Sequence, residues 1–277
     1  NQDEFLPIWY KLLKQYREAD RPEDVGKCLL TIANHFIMLE DYENALPLYK
    51  EAYQLALEHK SIELQQVSGI MLIKYLCGAG YYSESLEYYN KIKPEIAFNP
   101  SMQNEVVKSY MELNKPDSAR IYLAARLLSE RGDKIVLNCM MAETYIPEGQ
   151  EDSAFVFLDR AMKSYKEKAK NYQKQGREAI LPNCFLSPCY LFADLLWKKG
   201  KIQQASQYYM IVEPLMKERV KTPVRMELQI KALTNFSSFC RETKQYEKAL
   251  DLLARRDSVL QTYLEFKAKN DKKNYAE

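Results

Sequence analysis

Apolar residues recur along most of this chain three and four positions apart, with polar residues filling the places between them. Near the start, Phe5, Trp9, Leu12, Leu13 and Tyr16 form such a stripe and predict a helix over residues 4–18. Further on, six segments share a short polar turn, a small residue, and a large apolar residue four places later. They are Asp41–Tyr49, Tyr81–Tyr89, Lys115–Leu123, Gln150–Leu158, Lys201–Tyr209 and Gln245–Leu253. Their small residues, Ala45, Ser85, Ala119, Ala154, Ala205 and Ala249, are separated by 40, 34, 35, 51 and 44 residues. A second helical stripe precedes the turns: Leu29, Ile32, Ala33 and Phe36 in the first repeat, Val106, Val107 and Tyr110 in the third. Met141, Ala142 and Tyr145 follow in the fourth, Cys189, Phe192, Ala193 and Leu196 in the fifth, and Leu233, Phe236, Ser237 and Cys240 in the sixth.

This spacing predicts antiparallel helix pairs. Small side chains such as Ala33 and Ala45 let the two helices of a pair approach, while Phe36 and Tyr49 fill the space between neighbouring pairs. The breaks carry matching turn chemistry. Pro116 stands where a first helical residue has no N–H to satisfy, and Gly80, Gly149 and Gly200 stand where a first helix ends in a left-handed residue. One pair cannot bury its own apolar face, so several must stack.

The pattern resembles the tetratricopeptide repeat, with its period of about 34 residues. The match runs from about residue 26 to 256 and is closest in repeats one, four and five. Repeat two departs from it, with Gly69 where an aromatic is usual and Ile73 where a small residue is usual. The resemblance implies an all-α superhelix, a solenoid of antiparallel helix pairs. The expected organisation is a capping helix or half repeat over 1–25, about six pairs over 26–256, and an extended helix over 257–277. Insertions are expected near 163–188. The basic stretch Lys163–Arg177, interrupted by Glu167 and followed by Glu178, extends the second helix of repeat four as a solvated face. A break over Leu181–Pro188 then precedes repeat five. An irregular helical bundle is the alternative.

In proteins of this family the first helices line a groove that receives a peptide or a helix. Carried over position by position, the groove here falls at Asn34, Lys74, Lys108, Glu143, Asp194 and Ser238, with Tyr190, Trp197 and Arg241 beside them. The packing code falls at Ala33, Phe36, Ala45, Tyr49, Ala119, Ala142, Ala154, Ala193, Ala205 and Ala249. The groove implied is mixed, basic near Lys74 and Lys108, and acidic and aromatic near Glu143, Asp194, Tyr190 and Trp197. Packing between repeats is the competing role for Tyr190 and Trp197. The chaperone-binding carboxylate clamp of the family needs Lys at the fifth and Asn at the ninth position of one repeat. Asn34 fits and Leu30 does not, while Ser101 and Glu105 replace basic residues further on.

Composition narrows the function. The 277 residues hold 40 basic and 38 acidic side chains, a net charge of +2 that gives no general drive toward nucleic acid or an anionic membrane. A repeated base-reading code, which an RNA-binding helical repeat would need, is not evident at the groove positions. No apolar run approaches the ~20 residues of a membrane span. The motifs imply no cofactor, no metal and no catalytic centre. Only two histidines, His35 and His59, are present. The six cysteines, Cys28, Cys77, Cys139, Cys184, Cys189 and Cys240, read as structural thiols. Cys184 and Cys189 stand close, without the second pair that a zinc site needs. The even count leaves a disulfide open.

The chain opens on Asn1 and closes within a charged helical pattern, and so reads as an excerpt. The Asp-Ser-Ala turns at 117–119 and 152–154 and the long tail from Arg256 resemble the sensor regions of Bacteroidetes membrane regulators. That resemblance implies a periplasmic, membrane-tethered sensor or scaffold for a protein or peptide partner. A cytoplasmic adaptor in complex assembly is the alternative, and unpaired cysteines suit it.

Overall fold

The computed structural model describes residues 5–92, 102–129, 133–176, 180–217 and 223–274. Ser101, Arg177 and Glu178 lie outside these residues. Within them the chain is all-α, with thirteen α-helices, one short 3-10 helix and no strand. The helices are α1 (Phe5–Glu18), α2 (Pro22–Met38), α3 (Tyr42–Glu58), α4 (Ile62–Gly78), α5 (Tyr82–Lys91), α6 (Gln103–Glu112) and α7 (Pro116–Leu128). They continue as α8 (Lys134–Tyr145), α9 (Glu151–Lys174), α10 (Leu186–Lys198), α11 (Ile202–Lys217), α12 (Pro223–Glu242) and α13 (Tyr246–Asn274). The chain divides into two compact units within α7, one ending at Ala119 and the other beginning at Arg120.

Six hairpins follow α1, each closed by the same backbone turn. The N–H of Asp41 returns to the Phe36 carbonyl at 2.9 Å, and Tyr81 to Leu76, Lys115 to Tyr110, Gln150 to Tyr145, Lys201 to Leu196 and Gln245 to Cys240 repeat the bond. That closure needs a left-handed residue just before the donor. Gly80, Gly149 and Gly200 supply it in three hairpins, and Glu40, Asn114 and Lys244 adopt it in the others, at φ of 60°, 54° and 62°. The Asp41 carboxylate then caps α3 by accepting the Asn44 N–H at 3.0 Å.

The stretched repeat period has its cause in helix length. Helices α2, α3 and α4 have 17 residues each, and α9 has 24. Helix α10 begins at Leu186, earlier than the break over Leu181–Pro188 suggests, because the proline at 188 falls in the first turn, where no intrahelical donor is needed.

In the first unit, the first helices of successive hairpins, α2, α4 and α6, touch one after another. Helix α1 covers α2, with Leu13 buried and the Phe5 ring stacked on His35 at 4.6 Å. Ala33, Ala45 and Tyr49 are fully buried, and Phe36 packs half-buried against them. Repeat two exchanges large for small. An added Cβ at Gly69 would stand 2.9 Å from Ile92 and 3.2 Å from the Tyr53 ring, so those side chains fill the usual aromatic's place. Ile73 is buried beside them, and Ser85 donates its hydroxyl to the Ile73 carbonyl at 2.8 Å.

In the second unit, α8, α10 and α12 also touch in succession. Ala142, Ala154, Ala193 and Ala205 are fully buried and Ala249 nearly so, in one core with Phe185, Phe192, Phe236 and Phe239. Ala119, at the end of the first unit, is fully buried as well.

Candidate binding surfaces

In the first unit, Asn34 on α2, Lys74 on α4 and Lys108 on α6 are all exposed, on three helices that pack in sequence. Their surroundings are aromatic. The Lys74 ammonium stands 5.3 Å from the centre of the Tyr75 ring, and Lys108 stands 5.8 Å from that of Tyr82. Tyr75 stacks on Tyr49, whose hydroxyl donates to Asn34 Oδ1 at 2.6 Å. Both lysines act on Glu105. Burial pushes its carboxyl up, a backbone hydrogen bond and then the two cations pull it back, and its buried Oε2 has no hydrogen-bond partner. The sequence placed a basic patch at these two lysines, and the structure adds Glu105, Tyr75 and Tyr82 to it. A cation held over a ring keeps its outward donors free for a carboxylate.

The second unit also brings its sequence-predicted residues together, but turns several of them inward. Tyr190 is buried and its hydroxyl is pushed up to about 12 by burial, then by Asp194 and by Glu143. Asp194 is buried too, and accepts from the Tyr209 hydroxyl and the Asn235 side-chain amide. Tyr209 stacks face to face on Phe236 at 4.6 Å. Trp197, half-buried, packs edge-on to Phe239 at 5.7 Å. Tyr190, Asp194 and Trp197 therefore hold α10 to α11 and α12 and do not form an open aromatic face. Glu143 keeps part of its surface and has the Ser187 hydroxyl beside it. Burial nevertheless raises its carboxyl to about 7.

Ser238 and Arg241 sit elsewhere, on a cleft of about 360 Å³ between α12 and α13. Ala249, Leu250, Leu253, Tyr246 and Arg256 also line it. Leu250 is 67% exposed and Tyr246 59%. Neither residue stands out in the sequence as a groove position. They occupy the repeat positions of Leu46 and Tyr42 in the first hairpin, where Leu46 is buried, so the repeat register held the signal.

Of the two histidines, His35 is buried under Phe5, and His59 is exposed at the C-cap of α3. No described helix is long and apolar enough to cross a membrane.

Hairpins joined by a shared left-handed turn, with small residues where their helices cross, define a helical-repeat scaffold. Residues 186–210, which cover α10 and the first half of α11, match the family model for the tetratricopeptide repeat, and the match and the all-helical hairpins together support that family. No curated protein matches the chain. Repeats of this kind are protein-interaction modules.

Proposed function

We propose that the chain is a non-catalytic binding module whose first unit takes an acidic peptide segment across α2, α4 and α6. The observation that carries this is the contrast between neighbouring positions on those helices. Ala33, Ile73 and Val107 are buried in the packing, while the next residues, Asn34, Lys74 and Lys108, all point to solvent. Two cations over tyrosine rings beside an amide suit carboxylates on an extended backbone.

The wider role proposed is the sensor or scaffold part of a membrane-tethered bacterial regulator, with α13 leading out of the repeats. The Asp-Ser-Ala segments at 117–119 and 152–154, in the first helical turns of α7 and α9, and the 29-residue α13 support it. A cytoplasmic adaptor differs from it in topology. Reporter fusions to the full-length protein in its own cells decide between them: an extracytoplasmic signal supports the tethered sensor, and a cytoplasmic one rejects it.

Binding is tested by affinity capture with the intact chain, followed by the same capture with the Lys74→Glu/Lys108→Glu double variant. A partner retained by the first and lost by the folded second supports the proposal. Equal capture by both removes α4 and α6 as the binding face.

A further inference from the structure

Helix α13 is apolar on two sides, and its own chain uses one of them. Ala249, Leu252 and Tyr263 are buried toward α12, and the Tyr263 hydroxyl donates to the Glu227 carboxylate there. On the other side, Tyr246, Leu250, Leu253, Asp257, Leu260 and Leu264 follow one another at alternating steps of four and three residues. That is the spacing at which two helices pair along a seam. Leu250 is 67% exposed and Leu264 55%, while Leu253 and Leu260 are half-buried. The stripe runs about 27 Å along the helix. The α12–α13 cleft lies at its start, and a more open recess of about 510 Å³ lies further on, lined by Asp257, Leu260, Gln261, Leu264 and Glu265. In the first hairpin the counterpart of Tyr246 is Tyr42, whose hydroxyl stands 3.4 Å from where a Cβ on Gly78 of α4 would be. A helix fills that place in the first hairpin.

We propose that the outer face of α13 is a dimerisation surface, taken by α13 of a second copy of this chain running antiparallel. Charge decides the occupant and its direction. The cleft end of the stripe is flanked by Arg241, which is exposed, and Arg256, and the far end by the exposed Glu265. Lys267, two places on, leans onto the Tyr263 ring at 4.9 Å, toward the inner side of the helix. With two antiparallel helices centred on Asp257, Leu250 of each copy meets Leu264 of the other. Glu265 of each copy then comes level with Ala249 of the other, across the cleft from Arg241. Both contacts occur twice, as a two-fold pair requires. Parallel pairing would instead bring like ends together. At the centre Asp257 is held by its own Arg256 at 2.6 Å, so the copies meet there as two neutral pairs and not as two bare carboxylates. One polar position of this kind within an apolar seam fixes its register.

The test is sedimentation equilibrium of the full chain across the micromolar range. A monomer–dimer equilibrium is expected. Leu250→Glu/Leu264→Glu should leave a monomer with the circular dichroism of the parent, because both side chains are exposed within one chain. Arg241→Glu and Glu265→Arg should each weaken self-association by about tenfold or more, since like charges then oppose each other twice. Mixing these two variants in equal amounts should restore the affinity of the parent, because in the mixed dimer both contacts again join opposite charges. The charge variants decide even if the leucine variant misfolds. A parent that stays monomeric, or a dimer that survives Leu250→Glu/Leu264→Glu, overturns the proposal. Charge variants that associate no better together than apart overturn the antiparallel pairing.

Discussion

The Tyr49 hydroxyl bonds Asn34 across a separation of 15 residues, and the Tyr209 hydroxyl bonds Asp194 across the same separation. In both, a second-helix tyrosine four places after the small residue reaches back to the ninth position of the repeat, on the first helix. The ring of each stacks on an aromatic of the next hairpin, Tyr75 or Phe236. The two settings differ in burial. Asn34 is exposed and water can replace its lost donor, so Tyr49→Phe should cost about 1 kcal/mol. Asp194 is buried, and Tyr209→Phe should cost about 2–3 kcal/mol, since a carboxylate loses one of two donors. Urea unfolding of the two variants checks the order, and equal losses would contradict it.

Stability should fall as pH rises from about 4.5 to about 7. Burial raises the carboxyls of Glu143, to about 7, and of Asp194. The folded state therefore holds these protons more tightly than the unfolded state. Their contribution is complete below the unfolded value and is lost as pH climbs through the folded one. For Glu143 the effect is on the order of 1–3 kcal/mol, nearer the lower end because its side chain keeps some solvent. Glu143→Gln should flatten this part of the profile in denaturant melts across the range. An unchanged slope would show that Glu143 ionises freely.

Glycine at the left-handed turn positions now held by side chains should stabilise the hairpins. Glu40 and Lys244 adopt positive φ, which strains an L-residue by about 1 kcal/mol. Part of that gain is offset by the greater freedom of glycine in the unfolded chain, leaving about 0.5 kcal/mol for Glu40→Gly or Lys244→Gly. Thermal melts of the single and double variants test this, with additive gains expected for turns in separate units.

Trp197 and Arg241 should separate stability from surface. Trp197→Ala removes the edge contact with Phe239 and should cost about 2–3 kcal/mol. Arg241→Glu changes only the rim of the α12–α13 cleft and should stay within about 0.5 kcal/mol of the parent. Similar denaturant midpoints for the parent and Trp197→Ala would show that the indole is a surface group after all.

The hairpins were legible in the sequence because their determinants are local: Ala45, Ala154 and Ala205 stand at fixed distances from their own turns. Gly80, Gly149 and Gly200 marked three turns by composition. Glu40, Asn114 and Lys244 adopt the same geometry without a composition signal, because backbone closure imposes it. What the sequence hid depends on neighbours far along the chain. Gly69 read as a departure until Tyr53 and Ile92 were seen to occupy its space. Asp194 read as a groove residue because its second donor, Asn235, lies in the next hairpin.

The acidic-peptide surface is tested most directly by fluorescence anisotropy with labelled acidic and basic peptides of matched length, using the parent chain and the Lys74→Glu/Lys108→Glu variant. Acidic peptides should bind the parent, weaken with added salt, and lose about tenfold or more in affinity for the variant, a change of about 1.4 kcal/mol or more. Equal binding of both peptide classes, or undiminished binding of acidic peptides to the folded variant, would contradict the assignment.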